Sequence, residues 1–102
     1  MGEFMTVCRV DELPPGTMRV FQVGGEDITV ANVDGAFHAI DDECTHKACS
    51  LGDGDLEGTN VVCPCHGSEF DVRTGEVVNP PATRPVATYE VVVENGEVRV
   101  SP

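Results

Sequence analysis

The sequence predicts an all-β fold, an antiparallel sandwich or barrel of many short strands. Three observations carry that prediction. β-branched and aromatic residues recur at strand spacing in short runs, turn residues cut those runs at regular intervals, and helical periodicity is nearly absent. Two of the turns, Asp34-Gly35 and Asn95-Gly96, are strong two-residue hairpin signals.

Residues 5–10 alternate modestly and stop at Asp11-Glu12-Leu13-Pro14-Pro15-Gly16, a loop by its prolines and glycine. Residues 18–23 form a predicted strand that ends in a Gly24-Gly25 turn, and residues 28–33 form the next. Asp34-Gly35 returns the chain into residues 36–40, which completes a meander. Alternation places His38 on the face opposite Phe37. With no second ligand near it in sequence, His38 is expected as a surface residue. Residues 50–58 are read as a turn-rich connection. Their alternate acidic residues resemble a calcium loop only faintly, because the glycine and the terminal glutamate fall in the wrong places. Residues 60–62 and 69–72 are short strands, and Arg73-Thr74-Gly75-Glu76 is a turn. From Asn79 to Pro85 the prolines, lacking donors, keep the chain out of a ladder. Residues 86–94 and 97–101 make the last hairpin. No internal repeat is present.

The length of 102 residues suits one domain that buries roughly two-thirds of its unfolded surface. Residues 1–4 precede a second methionine and read as a cloning remnant, so the domain is expected over residues 5–102. No run approaches the ~18 apolar residues of a membrane span, and no signal peptide is recognisable. A soluble, cytoplasmic monomer is expected. The net charge of -12 makes nucleic acid and anionic membrane surfaces poor partners. It suits a basic patch on another protein, or serves only to keep the chain soluble.

The rest of the chain is organised around Cys44-Thr45-His46 and Cys63-Pro64-Cys65-His66, two short motifs with 16 residues between them. Cys44, His46, Cys63 and His66 are the candidate metal ligands. The gap lets the chain leave one loop and return in another. Zinc is one reading, although structural zinc sites pair two cysteines, or a cysteine pair with a histidine pair. Here each pair is mixed. A mixed pair on each loop also permits both cysteines on one metal and both histidines on a second, the ligation of a two-iron centre in which two histidines replace two cysteines.

These motifs, continued by Gly67-Ser68, resemble the Rieske iron–sulfur signature, and the β pattern and the proline loop at Pro80-Pro81 fit the same family. The resemblance covers the chain from Met5 onward. It implies a Rieske-type antiparallel β-sandwich with a small cluster-binding subdomain of two loops, over about residues 42–72. It implies one [2Fe–2S] cluster, with Cys44 and Cys63 on one iron and His46 and His66 on the other. Two ferric ions, two sulfides and two thiolates sum to a neutral cluster, where four thiolates would leave a dianion. Reduction is therefore easier, with potentials of about -150 to +300 mV against about -400 mV for plant-type ferredoxins. Cysteines at the positions of Cys49 and Cys65 are bridged in the Rieske proteins of respiratory and photosynthetic membranes, so a Cys49–Cys65 disulfide is implied, against the rarity of cytosolic disulfides. Cys8 is left as a buried strand thiol. Ser68 matches a position whose hydroxyl donates to a cluster sulfide. Phe70 stands where high-potential members carry a tyrosine, so one donor is missing and an intermediate potential is expected. Pro80 and Pro81 would shield the cluster.

The function implied is one-electron transfer rather than catalysis. There is no nucleotide fingerprint and no substrate-sized insertion. A free-standing chain of this kind is similar to the ferredoxin components of ring-hydroxylating oxygenase systems, which carry electrons from a flavin reductase to a terminal oxygenase. Two alternatives remain at this stage: a small Rieske subunit of a nitrite reductase-type complex, and a zinc-stabilised interaction module with no redox role.

Overall fold

The computed structural model describes residues 3–46 and 48–102. Met1 and Gly2 of the presumed cloning remnant lie outside the described residues, as does Lys47 in the gap between the two motifs. Ten strands follow one another: β1 (Met5–Arg9), β2 (Met18–Val23), β3 (Glu26–Val33), β4 (Ala36–Asp41), β5 (Asp55–Glu57), β6 (Asn60–Val62), β7 (Glu69–Asp71), β8 (Val77–Asn79), β9 (Thr88–Glu94) and β10 (Glu97–Ser101). They form a six-stranded sheet in the order β1-β10-β9-β4-β3-β2 and a four-stranded sheet in the order β5-β6-β7-β8. Every ladder is antiparallel, as the turn chemistry predicts.

The two hairpin signals act as read. Asp34 and Gly35 (φ 52° and 92°) and Asn95 and Gly96 (φ 53° and 76°) place both central residues in the left-handed region that such turns require. The strand boundaries differ in instructive ways. β3 begins two residues before the expected Ile28, because the Gly24-Gly25 turn is tight enough for Val23 to pair with Glu26. β5 lies inside the connection read as turn-rich. Its Asp55 and Glu57 are exposed and Leu56 is half-buried, so an acidic outer face masks a short alternating strand. β8 runs through Asn79, which pairs with Glu69, so the ladder enters the segment expected to stay out of it by one residue. β9 starts at Thr88 rather than Val86, since the Val86 amide donates instead to the Gly75 carbonyl at 2.9 Å. Residues 10–12, expected as the end of the first strand run and the start of the loop, form a 3-10 turn.

Two hydrophobic clusters follow from strand alternation. One gathers Cys8, Leu13, Val23, Ile28, Val30, Ala39, Val98 and Val100, with Phe37 packed against it. The other gathers Ala31, Ile40, Leu51, Val61, Phe70, Val72, Ala82 and Val86 together with Cys44 and Cys63. The candidate ligand cysteines are thus part of the core that joins the two sheets. Cys8 is a buried free thiol on β1, as expected. His38 corrects the surface expectation: it is half-buried and faces the charges of Arg73 and Asp71 from the smaller sheet.

Candidate metal centre

The first loop leaves β4 and folds back on itself. The Cys44 amide donates to the Cys49 carbonyl at 3.0 Å, and Glu43 and Ser50 form an isolated bridge below it. The second loop joins β6 to β7. It is closed by the Cys63 amide on the Ser68 carbonyl (2.7 Å) and the Gly67 amide on the Cys63 carbonyl (3.1 Å), with Gly67 at φ 77°. Each loop therefore carries one cysteine at its base and one histidine nearer its tip.

Folding brings the candidate ligands together in two pairs, Cys44 with Cys63 and His46 with His66. Cys44 and Cys63 are 3% and 2% exposed, and their thiols lie within hydrogen-bonding reach of each other. His46 and His66 are exposed, with ring centroids 5.2 Å apart and the rings edge to face. The Cys63 thiol is pushed up from its ordinary pKa. Burial is the main cause and the Cys44 thiol adds to it, while the backbone amides of Cys65 and His66, which hydrogen-bond its sulfur, act in the opposite sense. The positive charge of a metal ion bound in place of the proton would offset that burial penalty on the thiolate. The donor set is segregated, sulfur inside and imidazole outside, which suits a centre with two chemically different metals.

Cys49 and Cys65 form a disulfide across the two loops, with Cα atoms 6.5 Å apart. The sulfurs of Cys49, Cys63 and Cys65 lie within 4.8 Å of one another. That trio is not itself a metal site, because two of its sulfurs are already bonded to each other and only Cys63 has a thiolate to offer.

The proline loop holds both ligand loops from one side. The Ala82 amide donates to the Ser68 hydroxyl oxygen at 3.0 Å, and both residues are buried. The Thr45 hydroxyl donates to the Arg84 carbonyl at 2.7 Å, and the Arg84 guanidinium returns a bond to the Thr45 carbonyl at 3.4 Å. Pro80 and Pro81 are exposed, and Phe70 is wholly buried. Sequence reasoning did not single out Thr45, Ala82, Arg84 or Asp42. Their hydrogen bonds that involve a side chain reach partners 39, 14, 39 and up to 13 residues away, and no local pattern announces such pairings. Gly54 was also missed: a Cβ there would run into the Val62 carbonyl beside Cys63.

A two-sheet antiparallel fold with paired Cys/His loops, the first leaving the larger sheet and the second within the smaller, defines a class, and the comparison with known families agrees: the chain belongs to the Rieske [2Fe-2S] domain family, which matches residues 3–90. Among curated proteins it is 40% identical over 99 residues to the ferredoxin CarAc of Metapseudomonas resinovorans, covering 96% of this chain and 92% of that one. It is also 40% identical over 98 residues to the biphenyl dioxygenase ferredoxin subunit of Pseudomonas sp. strain KKS102, covering 95% of this chain and 90% of that one. Among solved structures it resembles the ferredoxin of carbazole 1,9a-dioxygenase from Nocardioides aromaticivorans IC177, with a TM-score of 0.95, 34% identity and 97% of each chain covered.

Proposed function

We propose that this chain is a one-electron carrier whose [2Fe–2S] cluster is held by Cys44 and Cys63 on one iron and by His46 and His66 on the other. The observation that carries the reading is the segregation of the donors, two buried sulfurs beneath two exposed, adjacent imidazoles. When bound, the cluster supplies a single reversible electron. The chain's own residues do the rest. The buried Cys44 and Cys63 thiolates would hold one iron and offset its charge, and the exposed His46 and His66 imidazoles would hold the other where a partner could approach. Amides of Cys65 and His66 hydrogen-bond the Cys63 sulfur, and by the family resemblance the Ser68 hydroxyl would donate to a cluster sulfide. Donors to sulfur favour the reduced, more negative state. Phe70 supplies no such donor, which favours an intermediate potential. By the family resemblance, Pro80 and Pro81, exposed residues of the segment that holds Ala82 against Ser68, would limit water at the centre.

The relatives are ferredoxin components of dioxygenase systems, and one similar solved structure (39% identity, TM-score 0.92) is a complex of reduced oxygenase and oxidised ferredoxin in carbazole 1,9a-dioxygenase. By that similarity the partners here are a flavin reductase upstream and a terminal oxygenase downstream. The acidic surface steers a basic face toward the tip. We read residues 5–102 as one domain, with the cluster-binding part at about 42–72. No helix among the described residues is long and apolar enough to cross a membrane. A monomer in the cytoplasm fits this role.

Visible absorption and low-temperature EPR of the purified protein, oxidised and then reduced with dithionite, test the reading. The expected result is a red-brown protein whose reduced form gives one S = 1/2 signal with an average g value below that of a four-cysteine cluster, as Cys/His ligation implies. A colourless protein carrying zinc would overturn electron transfer and leave a structural metal module.

A further inference from the structure

The two ligand loops hang from different sheets, the first from β4 of the larger and the second from β6 and β7 of the smaller. Their relative placement depends on the Cys49–Cys65 bridge between them, on the Thr45–Arg84 exchange and on how the first loop is anchored to its own sheet. The side-chain part of that anchor is one buried carboxylate. Asp42 stands just past β4, two residues before Cys44, and is 8% exposed. Its Oδ1 accepts three hydrogen bonds: from the Thr29 hydroxyl at 2.7 Å, the Ser50 hydroxyl at 2.9 Å and the Gly52 amide at 2.9 Å. Thr29 belongs to the middle of β3, whereas Ser50 and Gly52 belong to the returning limb of the loop. The backbone serves the same junction. The Asp42 amide donates to the Asp27 carbonyl at 3.1 Å, and the Leu51 amide donates to the Asp42 carbonyl at 2.7 Å. The return limb has no slack there, because a Cβ on Gly52 would run into Val20 and stand 3.2 Å from Asp42 Oδ1.

We propose that Asp42 is a positioning residue for electron transfer: from outside the ligand set, its carboxylate joins both limbs of the first loop to β3 and so sets where Cys44 and His46 stand against Cys63 and His66. The inference rests on the cluster reading above. Ladders above this junction, Glu43 with Ser50 and Cys44 with Cys49, join the limbs only to each other. Without the carboxylate the returning limb loses its side-chain tie to β3, and only the Asp42 amide on the Asp27 carbonyl holds the junction there.

The test compares the wild-type holoprotein with Asp42→Ala, Asp42→Asn and Thr29→Val, reading iron per chain after dialysis against a chelator, EPR g values, midpoint potential and melting temperature. Asp42→Ala removes the acceptor. Its iron content is expected to fall at least twofold, with shifted g values and potential in the fraction that stays loaded. Asp42→Asn keeps an acceptor oxygen and restores both. Thr29→Val removes a single donor and moves the g values less, in the same direction, which keeps the test usable if the alanine variant does not fold. Variants that melt earlier but keep the wild-type g values and potential would overturn the proposal, since a purely stabilising carboxylate has that effect. A wild type without a two-iron signal would sink the cluster reading instead, so the two failures are distinguishable.

Discussion

At the scale of single residues, the candidate centre is set by burial as much as by chemical type. Histidine serves two different ends here. His46 and His66 stand at the surface beside each other, while His38 is half-buried between the sheets. Burial lowers the pKa of His38 below its ordinary 6.5, and the Arg73 guanidinium lowers it further. Asp71 acts against them. The folded state thus resists a proton that the unfolded chain accepts near pH 6.5. The stability that this preference contributes is complete above about pH 6.5 and is lost as pH falls from there to the folded-state value. Urea unfolding at pH 7.5 and pH 5.5 should show wild-type stability dropping across that window and a smaller drop in His38→Gln. Equal drops in both proteins would show that His38 is not held neutral by the fold.

At the scale of elements, the two ligand loops are unequal partners that need fastening. The second is short and closed by its own amides. The first is longer and is fastened by the Cys49–Cys65 bridge, by the Thr45–Arg84 exchange and by the Asp42 junction. Replacing both bridging cysteines with serine should cost about 2–4 kcal/mol in chemical unfolding, the range usual for a disulfide across such a separation. It should also speed iron loss to a chelator, measured as the decay of the visible absorption. An unchanged decay rate would mean that the bridge stabilises the fold without clamping the loops. The elements that the sequence concealed, β5 and β8, are no shorter than β6 and β7, but β5 is masked by acidic residues among glycines and β8 runs into the proline segment. Tertiary pairing alone creates them. β5 needs β6 beside it, and β8 needs β7.

At the scale of the whole molecule, the dominant feature is the net charge of -12. Of the arginines among the described residues, Arg9, Arg73 and Arg99 are already engaged by carboxylates, which leaves the long-range field strongly negative. Such a field accelerates encounter with a basic protein and is screened over a Debye length of ~10 Å at 0.1 M salt. Electron transfer from the reduced protein to a basic c-type cytochrome, followed by stopped flow, should slow at least tenfold from about 10 mM to about 0.5 M salt. A flat salt profile would leave the acidity as a solubility device only.

The sequence by itself determined the β class, the two hairpin turns and the four candidate ligands, because each rests on local chemistry. Left-handed turns select Asn-Gly and Asp-Gly, and ligand pairs reveal themselves by short spacing. The Cys49–Cys65 pairing was legible only through resemblance to a family. What the tertiary structure decided was everything that depends on distant partners. It placed the sulfurs inside and the imidazoles outside, and set the Ala82 amide on Ser68 and Arg84 beside Thr45. It also gathered three donors onto Asp42, a residue that in sequence looks like one more acidic side chain before a loop. The physical reason is the same in each case. Burial and hydrogen bonding are properties of what the chain packs against, and an antiparallel sandwich brings together residues that no local pattern relates.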